Sequence, residues 1–308
     1  METIVAIILV FIMILFDTRS VDKFINIAKS TNNNLKYTSK PVSAELFNTR
    51  RSSLSAKAVV SKFIKSNLWI YTNNEESSLI NLCIKSIIKH SSDLYNIIII
   101  SDNDIDRLIP EYKPHIQMCQ SDYLRENIIK FAILFKYGGL WVPKDTLLLK
   151  PINSINDVYS CNLKTYGINN RNYNDKGISE QIISSKKNDS LVKLILQFLI
   201  KNTRGFQNAI EFKSSVNKRF NEFIKNNSGH TNINLGLTEK CSGAHYHISD
   251  LFTTNLVKFK HYSGKSYIKL YIDDLENLRE YNYILSLSET EILNSNLFLA
   301  LLVNKSLL

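Results

Sequence analysis

The chain has 308 residues, 44% hydrophobic and 21% charged, which suits one large domain with a real core and leaves no room for a low-complexity tail. Its net charge of +10 fits an anionic partner such as a nucleotide sugar or a membrane surface. The lysines are scattered among Ile and Asn, with no basic run interleaved with aromatics, so nucleic-acid binding is argued against.

The first element is an unbroken apolar run from Ile4 to Phe16, between Glu2 and Asp17. It is shorter than the ~20 residues of a usual membrane span. No small-x-small cleavage site follows it, so residues 1–19 read as a single-pass membrane anchor or uncleaved signal. Arg19, Lys23 and Lys29 lie after the run, which by the positive-inside rule keeps the body cytoplasmic. Residues 20–66 read as a polar stem rich in Ser, Asn and Thr, with a helical fragment from Leu54 to Ile64.

The main domain is read over 67–308. Leu68 to Tyr71 is a short buried strand followed by the polar turn Thr72-Asn73-Asn74. From Glu76 to His90, apolar residues at Leu79, Leu82, Cys83, Ile87 and Ile88 mark a helix. Cys83 falls on its apolar side as a buried thiol; Cys119, Cys161 and Cys241 are distant, and no CxxC pair signals zinc or redox chemistry. Asn96 to Ile100 is a second buried strand, ending at Ser101-Asp102. Strand, helix, strand at this spacing predicts a βαβ unit and an α/β fold with a parallel sheet.

Ser121 to Pro151 organises the rest. Ser121 is the expected N-cap and Asp122 sits in the first turn, where a carboxylate suits the helix dipole. The sequence from Ile128 to Tyr137 is apolar almost all round, which predicts a buried helix. Gly138-Gly139 ends it, Leu140-Trp141-Val142 forms a short strand, and Pro143 stops that strand. Lys144 and Asp145 are left on the loop at its carboxyl end, the edge where open α/β sheets bind ligands. Further on, a strand is read in Tyr159 to Tyr166, a helix from Leu191 to Ile200, a strand in Tyr267 to Ile272 and a helix from Glu289 to Val303. Glu180 reads as a surface carboxylate, and His245 and His247 form an H-x-H pair whose rings share one face if it lies on a strand.

Tyr137, Gly138, Gly139, Leu140, Trp141, Val142, Asp145, Lys150 and Pro151 form a pattern that resembles the family-32 glycosyltransferases and their capsular-polysaccharide-synthesis relatives. The resemblance implies a GT-A-like (Rossmann-like) nucleotide-sugar-binding domain, with a mixed, mostly parallel sheet flanked by helices. It implies transfer of a hexose from a nucleotide sugar to a glycan or glycoconjugate, with retention of configuration, by a lumenal body on its anchor. Three positions depart from the family pattern. Pro143 stands where the first aspartate of the metal-binding Asp-x-Asp belongs, and the family's nucleotide-binding Asp and Arg fall on Asn127 and Lys130. An Asp-x-x-Arg does exist, Asp122 with Arg125, but five residues too early.

The resemblance assigns Tyr71, Thr72, Asp102, Asn127, Lys130, Gly138, Gly139 and Trp141 to the donor nucleotide, with Asp122 and Arg125 as the alternative pair. Glycosyl transfer needs positive charge beside the leaving diphosphate. Three arrangements satisfy or forgo it. Asp145 holds Mn²⁺ or Mg²⁺ with a ligand from elsewhere, Lys144 takes the metal's place, or the pocket binds without catalysing. Trp141 and a surface Asp122–Arg125 pair have purely structural readings beside these.

Overall fold

In the computed structural model, the described residues are 65–72, 76–152, 163–166, 168–172, 175–203, 218–226, 230–232, 236–237, 248–254 and 262–308. The apolar run at 4–16, the stem up to residue 64, Cys161, Cys241, His245 and His247 lie outside them. The strands are β1 (Ser66–Tyr71), β2 (Tyr95–Ile100), β3 (Gly139–Trp141), β4 (Thr146–Leu148), β5 (Leu163–Thr165), β6 (Ile168–Asn172), β7 (Asp175–Ile178), β8 (Ile183–Ser185), β9 (His230–Asn232), β10 (Gly236–Leu237) and β11 (Tyr267–Lys269). The helices are α1 (Ser78–Ser91), α2 (Asp102–Leu108), α3 (Lys113–Gln117), α4 (Asp122–Tyr137), α5 (Ser190–Lys201), α6 (Ile272–Asn277), α7 (Glu289–Asn294) and α8 (Phe298–Leu307). Residues 218–225 are also helical.

The expected βαβ unit is present: β1 and β2 pair in parallel from Ser66↔Tyr95 to Tyr71↔Ile100. On its other side β1 pairs in parallel with β3. The sheet then turns mixed, in the order β2-β1-β3-β8-β5-β9, with β8 antiparallel to both β3 and β5 and β9 parallel to β5. A second sheet, β10-β11-β4, pairs β11 antiparallel with β4.

Along β1 the side chains alternate between two cores, as a strand's period of two requires. Leu68 and Ile70 pack with Ile87, Tyr95, Leu140 and Val142. Trp69 and Tyr71 face the other way, into a cluster with Trp141, the apolar residues of α4 and α5, Phe220 and Ile224. The main sheet is thus covered on both faces, which is why its strands read as continuous apolar runs. A third cluster joins α1, β4, β11 and α8 through Leu79, Leu147, Ile268 and Phe298.

Local chemistry sets the key boundaries. The Ser121 side chain accepts from the Leu124 N–H at 3.5 Å, and Gly138 at φ +67° stops α4. A Cβ on Gly139 would lie 2.5 Å from the Asn67 carbonyl oxygen, so only glycine lets β3 lie against β1. One expected element is corrected: Glu289 to Val303 is two helices, α7 and α8. Ser295 is extended, its hydroxyl donates back to the Ile292 carbonyl at 2.8 Å, and Asn304 donates to the Leu293 carbonyl at 2.9 Å. These bonds satisfy carbonyls that a continuous helix would have used.

Candidate active site

The carboxyl ends of β1, β2 and β3 lie side by side, and the backbone N–H of Thr72 donates to the Ile100 carbonyl at 2.9 Å. Because β8 runs antiparallel to β3, with Ile183 opposite Trp141, its leading residues Ser179 to Ile182 stand at the same edge. The helix α4 leads into β3 through Gly138, so its N-terminal half reaches toward this edge as well. Four loops and one helix therefore converge there.

At the ends of β1 and β2 a polar network forms. The Tyr71 hydroxyl donates to Asp102 at 2.6 Å, Arg125 donates to the Tyr71 oxygen at 2.9 Å, and a second nitrogen of Arg125 pairs with Asp102. Partial burial alone would raise the Asp102 carboxyl, but hydrogen bonds from Arg125 and Tyr71 hold it below the usual range. Burial and the carboxylate together raise the Tyr71 hydroxyl, which stays protonated and donating. Of the early Asp-x-x-Arg pair, Arg125 joins this site and Asp122 is exposed in the first turn of α4.

Asn127 and Lys130 lie one turn further along α4, both buried. The Lys130 ammonium donates to the Glu180 backbone carbonyl at 2.9 Å. Burial pushes it down to about 8, with Glu180 and Glu126 acting against the shift and Lys269 adding to it. Asn127 donates to the Tyr123 carbonyl at 2.7 Å, while its own side-chain oxygen has no hydrogen-bond partner. Glu180 is a correction to the surface reading, being 1% exposed. One of its oxygens accepts from Tyr123 at 3.3 Å and Gln181 at 3.0 Å, and the other has no hydrogen-bond partner. Trp141 is fully buried in the core, its indole N–H also without a partner.

The loop after β3 resolves its two charges separately. Lys144 reaches Glu76, at 2.7 and 3.0 Å from its two oxygens, so this ammonium is held by a carboxylate. Asp145 sits where the chain passes from the main sheet into β4, and is 7% exposed. One of its oxygens pairs with the Lys269 ammonium, and the other accepts the Ile272 N–H at 3.3 Å. Gly138 and Gly139 pack against the backbone of Ser185, Lys187 and Asn67.

A divalent Mg²⁺ or Mn²⁺ needs a set of oxygen ligands with net negative charge. Among the described residues no three His, Cys, Asp or Glu side chains converge to supply one. Asp145 already carries an ammonium, which repels a second cation. The donor set present here does not fit the metal.

Sequence reasoning missed Glu76 and Lys269, and it placed Glu180 at the surface where the structure buries it. Lys269 did carry a signal, a lysine within the apolar run Tyr267 to Ile272. Its pairing with Asp145 carried none, since the two residues lie 124 positions apart.

The family described as capsular polysaccharide synthesis protein matches residues 19–212. No curated protein matches the chain. Among solved structures, the PaToxG glycosyltransferase is 15% identical, with a TM-score of 0.38 over 52% of this chain and 69% of that one. The glycosyltransferase GlyE of Streptococcus pneumoniae TIGR4 is 11% identical, with a TM-score of 0.42 over 79% of this chain and 60% of that one. A glycosyltransferase involved in glycosylation of the major capsid of PBCV-1 is 13% identical, with a TM-score of 0.37 over 57% and 84%. Among the described residues, no helix is long and apolar enough to cross a membrane.

Proposed function

This chain belongs to the capsular polysaccharide synthesis protein family, and from that premise we propose that it is a glycosyltransferase with a GT-A-like domain. It moves a hexose from a nucleotide sugar to a glycan or glycoconjugate acceptor. The observation that supports this most is the Tyr71–Asp102–Arg125 network at the carboxyl edge of the parallel strands. Base and ribose meet Tyr71, Thr72 and Asp102, and Arg125 offers its planar donor fork. The diphosphate and hexose extend toward Lys130 and Asp145.

In the transfer, the bond from sugar C1 to the diphosphate oxygen breaks and its electron pair leaves with the diphosphate. The acceptor hydroxyl oxygen bonds to C1, and its proton ends on the diphosphate or on water. Positive charge near the leaving group lowers the barrier.

Titration of UDP and GDP into the protein tests the donor site. Arg125→Ala should weaken whichever nucleotide binds by at least tenfold, and an unchanged Kd would remove the network from the donor site. Assay of UDP- and GDP-hexoses for sugar release or transfer tests the reaction. A second reading, a binding protein without turnover, is favoured by Pro143 in place of the first aspartate. It predicts intact nucleotide binding with no release of sugar.

Residues 4–16 serve in this proposal as a single-pass anchor, supported by their unbroken apolar sequence. Alkaline extraction of membranes should leave the full chain in the pellet and a chain lacking residues 1–19 in the supernatant. Protease protection of the body distinguishes the lumenal from the cytoplasmic orientation.

A further inference from the structure

Asp145 and Lys269 are each 7% exposed and form an ion pair with one another. The pairing is set by the backbone. Antiparallel register places Lys269 opposite Thr146, and the Leu270 N–H donates to the Asp145 carbonyl at 2.9 Å. The Lys269 ammonium also stands 5.7 Å from the centre of the Tyr271 ring. It is therefore fixed by two strands and a loop. Lys144, the lysine adjacent in sequence, is engaged by Glu76 instead.

A divalent ion at Asp145 would have to expel this ammonium or sit against it. Neither is favourable in a buried setting, where like charges are poorly screened. Lys130 is a second buried ammonium within electrostatic reach of Lys269.

We propose that Lys269 stands in for the donor-site metal, so that this protein binds a nucleoside diphosphate and its sugar conjugates without a divalent cation. The inference rests on the glycosyltransferase reading above and adds the source of the charge facing the diphosphate. Asp145 is then the clamp that orients an internal ammonium.

The test is calorimetric titration of UDP and GDP into the full-length protein in EDTA and in Mn²⁺. Wild type should show Kd values within threefold of each other in the two buffers. Lys269→Met should bind at least tenfold more weakly in EDTA and recover in Mn²⁺, because Asp145 is released to act as a ligand. Lys269→Arg should keep binding in EDTA, and an Asp145→Asn, Lys269→Met double variant, which removes both charges and is checked for a wild-type circular dichroism spectrum and melting midpoint, should lose binding in both buffers. Wild-type binding that is lost in EDTA and restored by Mn²⁺ overturns the inference and leaves the glycosyltransferase reading standing. So does wild-type affinity in the double variant. Absence of UDP or GDP binding by wild type in either buffer overturns both.

Discussion

Lys130 shows what a single buried charge does to the protein. Its ammonium, pushed down to about 8 by burial, binds a proton less tightly in the folded chain than in the unfolded one, where the ordinary value is near 10.5. Between those values the unfolded state holds more protons, so stability rises with pH across that window and its full benefit is absent below it. Raising the pH from 7 to 9 should therefore stabilise wild type by about 1 kcal/mol relative to Lys130→Met, read from urea midpoints at each pH. The position was legible as a polar residue in an apolar helix. Its partner was not, because the Glu180 carbonyl arrives from β8's leading loop, 50 residues later. Arg125 illustrates the reverse case: spacing placed it a turn and more too early, and the depth of the edge brings it to Tyr71 all the same.

At the scale of elements, the junction of α4 with β3 is the most constrained segment of the site. Gly139 has φ +105°, and a side chain there would run into the Asn67 carbonyl on β1. Gly139→Ala should cost roughly 2–4 kcal/mol from combined backbone strain and overpacking. Chemical denaturation measures it, and a loss under 1 kcal/mol would show that β1 and β3 separate easily. This junction was readable because its signals are local: a cap, an apolar run, two glycines and a proline. Of the sheet of β10, β11 and β4 only β11 was read, and the rest was hidden for the opposite reason. Its strands are two or three residues long and come from distant parts of the chain. The break between α7 and α8 was also missed, since apolar periodicity runs through Ser295 while its hydroxyl takes the Ile292 carbonyl.

At the scale of the whole domain, two observables report different places. The protein's two tryptophans, Trp69 and Trp141, sit on neighbouring strands of the main sheet, in one apolar cluster. Phe298 belongs to another, beneath α1 and β4. Phe298→Ala should destabilise by about 3–5 kcal/mol. Tryptophan fluorescence and far-UV circular dichroism should register the same lowered midpoint if the clusters unfold together. A midpoint unchanged by fluorescence would mean that the two regions melt separately. The α/β class and the shared carboxyl edge of β1, β2 and β3 were legible because they follow from the alternation of strand and helix. The charge arrangement at that edge was not, since it depends on which distant lysine meets Asp145.

That meeting spans 124 residues. During translation, at ~5–20 residues per second, the carboxylate leaves the ribosome on the order of 6–25 s before its counter-ion does. The early strands can associate in that interval while their acidic loop stays wet and open. Completion of that ion pair is thus timed by the arrival of β11, and nascent chains halted earlier carry the loop without its lock.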